Sequence, residues 1–328
     1  MKINERNDEV GFLQHPFAPN VKKINILELK DRFKKSPRQR YRICTHKDEQ
    51  NALHDMIVIY DSTTYVRPNK HLGKSESLLL LEGEIDFYFF NDDGFPIKKI
   101  KLDANGVKGT PYLKVPPNTW HGMLMKGQNE CVIKETISGP YDTKTLLWAK
   151  WSPKDLSSTK TIEYYDDIDA KLSSKLNINE EVVRFGPGIF ITSNQFPTLT
   201  DNIKDILFSD CKKYKLKSSR LCMHTNTSDH LQEMFMLMLK GTDEPSLHLK
   251  ADESITILDG KGTYSILDNL NNHIYDIGLS SYHSKPLDDS FYCRINAFTK
   301  HQINISSDYL FFHICTNGPH DKENTVFI

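Results

Sequence analysis

The hydrophobic pattern of this chain changes character near residue 40. Upstream of it, Phe17 and Pro19 begin an extended arm, and Ile26 to Phe33 is the best short helix candidate, closed by Ser36-Pro37. From Arg40 onward the texture is β. Segments of four to eight residues alternate or run apolar, and turn signals break them at Asp61, Asn91 to Gly94, Asp103 to Gly106 and Pro116 to Asn118. Asp93-Gly94, between Phe87–Phe90 and Ile97–Leu102, reads as a hairpin turn, and its counterpart later in the chain is Asp268 to His273. Many short strands at this spacing predict a sandwich or barrel. Residues 153 to about 182 lack the pattern and read as a connector, with a short helix near Ile168 to Leu176.

The pattern then repeats. Arg42 to His46 aligns with Arg220 to His224, and each is followed ten residues later by an apolar strand, Met56 to Tyr60 and Met234 to Met238. Pro68, His71, Glu76 and Gly83 return as Pro245, His248, Glu253 and Gly260 at an offset of 177 residues. His121 returns as His301 and Gly139-Pro140 as Gly318-Pro319, with the offset moving by only a few residues. That is the signature of a duplicated domain with small loop differences. It divides the 328 residues into an N-terminal domain (1–153), a connector (154–182) and a diverged copy (183–328).

The repeated positions carry chemistry. Alternate side chains of a strand share a face, so Asn69 and His71 point together, as do Ser246 and His248. His71, Glu76 and His121 form a His/His/carboxylate set that can hold one divalent metal and leave positions open; Fe(II) or Mn(II) fits best, with Zn(II) or Ni(II) compatible. His248, Glu253 and His301 repeat the set in the second half. Asn69, and Ser246 in the copy, reads as a weak oxygen ligand or an orienter of bound water. Around the first set, His71, His121 and Tyr112 are the catalytic candidates. Arg67, Lys114, Lys134 and Trp120 are the substrate-binding candidates, Arg67 because it shares strand parity with His71. Tyr112 and Lys114 recur as Tyr292 and Arg294, a pairing that suits an acid beside an anion clamp or a tyrosine capping the barrel edge. Arg42 and His46 read as structural hydrogen-bonding residues.

The spacing His-x4-Glu-x6-Gly followed by Pro-x4-His resembles the two motifs of the cupin superfamily. The first half is closer still to the WbuC-type cupin-fold metalloproteins, over Lys35 to Arg40, Tyr65 to His71, Val115 to His121 and Gly139 to Asp142. The likeness spans roughly residues 27–153. It departs at the first motif histidine, which is Asn69 here and Ser246 in the copy. The resemblance implies an all-β fold of two tandem cupin barrels (double-stranded β-helix, jelly-roll) with a few short helices and the metal inside. It also implies an enzyme acting on a small polar metabolite, such as a sugar or sugar nucleotide in bacterial surface-polysaccharide biosynthesis. Two alternatives stand beside it: a metal-free sugar isomerase or epimerase with His71 or His121 as base, and a non-catalytic ligand-binding barrel.

Composition narrows the rest. Lys and Arg number 42 against 43 Asp and Glu, so no overall field attracts nucleic acid or an anionic membrane. No apolar run reaches the roughly 18–20 residues of a membrane span, and the polar N-terminus carries no signal-peptide core. Six scattered cysteines without a Cys-x-x-Cys pair fit free thiols in a reducing cytoplasm. The expected partner is a small-molecule substrate, with a homodimer through an arm or sheet edge compatible. Dinucleotide, P-loop and Gly-x-Ser-x-Gly signatures are absent from the sequence.

Overall fold

The computed structural model describes residues 2–15, 18–127, 130–172, 182–224, 226–242, 247–249, 251–285, 287–319 and 325–327. Two β-sheets face each other in the first half. One runs, in spatial order, through Lys2–Asn7, Val10–Gln14, Arg40–Cys44, Leu53–Tyr60, Cys131–Ser138, Glu76–Glu82 and Tyr112–Val115. The other runs through Leu146–Trp148, Val66–His71, Trp120–Lys126, Glu84–Phe90 and Pro96–Asp103. In the second half the two layers are continuous. Glu253–Leu267 and Lys300–Asn317 each cover what two strands cover in the first half, and the sheet extends from Val182–Gly186 to Ser290–Ile295. The fold is therefore all-β, two barrels in tandem.

Gly83 and Gly260 mark the bend where a strand passes from one layer to the other. Both have positive φ, +94° and +90°. A Cβ on Gly260 would lie 2.2 Å from the Tyr309 carbonyl oxygen, so only glycine fits there.

Strand alternation builds two kinds of core. Met56, Val58, Leu78, Leu80, Ile133 and Met123 turn into the first barrel. Ile57, Ile59, Leu79, Leu81 and Val132 turn outward and pack against Phe235, Leu237 and Phe311 of the second barrel. Leu53–Tyr60 is thus buried on both faces, which is why its Met56 to Tyr60 part reads as an unbroken apolar run.

The halves also exchange arms. Asn20–Lys22 adds to the edge of Ser290–Ile295, where Arg294 N–H donates to Pro19 O at 2.8 Å. Reciprocally, Lys114 N–H donates to Pro197 O at 2.9 Å, and Phe196 enters the first barrel to stack on Phe89 with centroids 3.8 Å apart. Helices Lys23–Phe33 and Ile203–Tyr214 follow the two arms. The first extends the helix expected at Ile26 to Phe33. The second lies between arm and strand in the copy, where the sequence reading placed no helix. The connector helix is Ser158–Lys171, earlier than expected, because Thr161, Tyr165 and Ile168 supply its buried face against Tyr88 and Phe90.

Candidate metal centre

Three strands bring the first ligand set together. His71 ends Val66–His71, Glu76 opens Glu76–Glu82, and His121 lies on Trp120–Lys126 directly opposite Asn69. Glu76 Oε2 is 3.3 Å from His121 Nε2 and 3.5 Å from His71 Nε2. One donor atom from each of the three residues lies within 4.8 Å of the others, the spread of ligands about a single ion. His121 Nδ1 sits 3.0 Å from Thr119 O. A carbonyl only accepts, so Nδ1 carries the proton and Nε2 presents its lone pair to the centre. Phe87 stacks on the outer face of the His121 ring at 5.6 Å and holds its plane.

Among the described residues, two acceptors at this centre have no hydrogen-bond partner. Glu76 Oε2 and Asn69 Oδ1 are both buried and unmatched, while the Asn69 amide donates to Arg67 O at 3.2 Å. Orphaned buried acceptors are costly unless something cationic satisfies them, so the donor set fits a divalent ion. Burial disfavours the Glu76 carboxylate, yet His121 and His71 outweigh it and hold its pKa below the usual range. Burial likewise disfavours a charged His121, and the Glu76 carboxylate overrides it, raising that imidazole. For His71 burial wins and the pKa falls.

The set opens into a cavity of about 320 Å³. Its polar wall holds Arg40, Arg42, His54, Tyr60 and Glu135. Its apolar wall holds Met56, Val66, Leu78, Phe87, Met123 and Ile137, with Trp148 among the further lining residues. Burial and the nearby Glu76 push the Glu135 carboxyl up to about 7, against the pull of Arg42 and His121.

Of the sequence candidates, His71, Glu76, His121 and Asn69 meet here. Tyr112, Lys114 and Lys134 do not. Their strands turn Leu113, Val115, Ile133 and Glu135 inward, so the intervening residues face the other barrel. Lys114 Nζ pairs with Glu233 at 3.2 Å and donates to Leu231 O at 3.0 Å. Lys134 Nζ pairs with Asp55 at 2.8 Å and lies 3.1 Å from Cys315 Sγ. Tyr112 packs on Phe235 and His313. Arg67 also misses the cavity. His121 pairs with Asn69 but Met123 with Val66, a bulge that breaks the parity and sends the Arg67 guanidinium to Ala149 O and Ser152 Oγ. Trp120 bonds Asp92 through Nε1 at 2.9 Å and lies under Lys70, again outside the cavity.

Sequence reading passed over Glu135 and assigned Arg42 a structural role. A signal existed for Glu135: the second half has Ile314 at the equivalent position, so the charge belongs to one copy only.

In the second barrel His301 repeats the pose of His121, with Nδ1 2.9 Å from Thr299 O and Nε2 buried without a hydrogen-bond partner among the described residues. Glu253 Oε1 lies 3.9 Å from His301 Nε2. Tyr264 replaces Phe87 there and donates its hydroxyl to the same Glu253 oxygen at 2.8 Å. Ser246 and the His248 side chain lie outside the described residues.

Comparison with known proteins adds three findings. A family model described as a domain of unknown function (DUF6016) matches residues 21–102. No curated protein matches the chain. Among solved structures, salicylate 1,2-dioxygenase from Pseudaminobacter salicylatoxidans is similar at 10% identity and a TM-score of 0.60, covering 96% of this chain and 86% of that one. A mutant of that enzyme in complex with gentisate is similar at 9% identity and the same TM-score, covering 96% and 84%. At such identity the likeness defines the fold: a tandem cupin, two double-stranded β-barrels in one chain.

Proposed function

We propose that the first barrel is a mononuclear divalent-metal site and that the protein is an enzyme acting on a small polar metabolite in the cytoplasm. The observation that carries this reading is the convergence of His71, Glu76 and His121 beside the unmatched Asn69 Oδ1. His71 Nε2, a Glu76 oxygen and His121 Nε2 would hold the ion, with Asn69 Oδ1 as a weaker fourth donor. Fe(II) or Mn(II) suits this N/O set, and Zn(II) or Ni(II) can also occupy it. When bound, the ion supplies Lewis acidity to an oxygen of the ligand. The chain does the rest. Thr119 fixes the His121 tautomer, and Phe87 and Met123 keep water from the inner wall.

The narrower reading, a sugar or sugar nucleotide for surface polysaccharide, rests on sequence resemblance alone. A cavity of about 320 Å³ lies at the small end of ligand sites and suits one small ligand better than a nucleotide conjugate. We read residues 1–153 as the working unit, 154–182 as connector and 183–328 as the diverged copy. Elemental analysis of purified protein tests the reading. We expect metal bound in the wild type and lost from the first barrel in His121→Ala. A first barrel without metal after reloading with iron, manganese, nickel and zinc would sink it.

A further inference from the structure

Arg42 projects from Arg40–Cys44 into the first barrel, opposite Val58 in register. The neighbouring Tyr41 and Ile43 face the other barrel, so parity fixes Arg42 on the cavity side. Its guanidinium has no hydrogen bond or ion pair with any described residue. Arg40, on the same face, is taken by Glu9 at 2.9 Å. Glu135 lies two strands away and two residues along, and forms no ion pair with Arg42. Tyr60 and Glu135 act on this guanidinium through space, but no described residue accepts a hydrogen bond from it, so its five donors stay open to a ligand in the cavity. In the second barrel the equivalent Arg220 is exposed and Ile314 stands where Glu135 stands. The charged wall is therefore peculiar to the barrel with the complete described ligand set.

We propose that Arg42 is the anion-recognition residue of this cavity, and that its ligand is a small monocarboxylic acid with a second oxygen and an apolar body. The planar fork of a guanidinium matches a carboxylate in two parallel hydrogen bonds. A phosphate dianion is disfavoured, because the ionised Glu76 faces the same space and would repel the second charge more than a single carboxylate. Met56, Leu78, Phe87 and Ile137 line the remaining wall and suit a hydrocarbon portion. The role of the second oxygen, reaching toward His71, Glu76 and His121, rests on the metal reading above. The carboxylate contact does not.

Calorimetric titration of manganese-loaded full-length protein tests this. The ligands are pyruvate, 4-methyl-2-oxopentanoate and phenylpyruvate, the methyl ester of each, and inorganic phosphate. We expect at least one acid to bind about tenfold or more tighter than its ester, the size of one charge-assisted pair. Arg42→Gln should erase that preference and Arg42→Lys should keep part of it. Glu135→Gln should preserve it, and metal content should be equal in all variants. Equal binding of acid and ester overturns the proposal, as does a preference that survives Arg42→Gln, phosphate binding tighter than every acid, or no acid binding at millimolar concentration. A protein that takes up no metal but still prefers acid to ester through Arg42 would sink the metal reading and leave this one standing.

Discussion

Tyr264 donates its hydroxyl to Glu253 Oε1 at 2.8 Å while its ring stacks on His301 at 5.0 Å. In the first barrel Phe87 stacks on His121 in the same way and has no hydroxyl to give, so Glu76 Oε2 stays unmatched. One oxygen atom thus separates a carboxylate open to a cation from one already satisfied by a phenol. Burial and Glu253 together raise the Tyr264 pKa well above the ordinary phenol value, so the hydroxyl keeps its proton.

The first prediction follows from that contact. Wild-type protein should hold one metal per chain, and Tyr264→Phe should hold up to two after reloading. Losing the hydroxyl leaves a buried acceptor unpaired at a cost of about 1–3 kcal/mol. The metal-free variant should therefore melt below the wild type and recover on adding metal. An unchanged stoichiometry, read by elemental analysis, would mean that the second barrel is closed by something other than Tyr264.

The second prediction concerns the ions between the barrels. Asp55 is fully buried and meets Lys134 at 2.8 Å, Arg294 at 3.4 Å and the Thr136 hydroxyl at 2.7 Å. Lys134→Met keeps the volume and removes one of two cations from a buried carboxylate. It should cost about 3 kcal/mol, the low end for a broken buried pair, since Arg294 remains. Lys204→Ala, which breaks the half-exposed pair with Asp259, should cost under about 1 kcal/mol. Urea unfolding of both variants gives the comparison, and equal losses would contradict the assigned burial.

The third prediction is a pH dependence with a definite sign. Burial, the His54 ring stacked 4.0 Å away and Arg294 lower the His46 pKa to about 3. The unfolded chain takes up that proton near 6.5 and the folded chain only near 3, so stability declines as pH falls across that window. For Asp55, burial opposes ionisation, but Lys134 and Arg294 prevail and lower its pKa to about 2. It adds a second decline from near 3.8 downward. Urea midpoints should fall steadily from about pH 7 to pH 4, and His46→Gln should flatten the upper part of the curve. A midpoint that rises on acidification would reverse the sign and refute the account.

The local motif made most of the His/His/carboxylate cluster legible. His71 and Glu76 are close in sequence, and His121 was fixed by its repeat. What misled was recurrence. Tyr112 with Lys114 returns as Tyr292 with Arg294, but each pair recurs because both barrels press the same outer face against the other. Lys114 pairs with Glu233 while Arg294 reaches Asp55, the residue equivalent to Glu233. A strand buried on both sides gives no hydropathy contrast, so its pattern cannot say which face meets the ligand. Arg67 failed for a different reason: period-two counting does not survive a bulge.

The same face-to-face packing yields the last prediction. One apolar cluster joins Ile57, Leu79 and Tyr112 of the first barrel to Phe235, Tyr292 and Phe311 of the second. Ser77 bonds Glu233 at 2.5 Å and Arg294 bonds Leu53 O at 3.0 Å across the same plane. Each barrel's edge is also completed by the other's arm. Separating them would expose the cluster, strip Arg294 from Asp55 and strip Lys114 from Glu233, so neither half has a route to unfold alone. Calorimetry should give one transition whose van't Hoff and calorimetric enthalpies agree. Removing residues 2–22 strips Val21 from Tyr292 and should lower that single midpoint while leaving the first-barrel ligands in place. Two resolved transitions in the intact chain would show that the interface, for all its burial, does not couple the barrels.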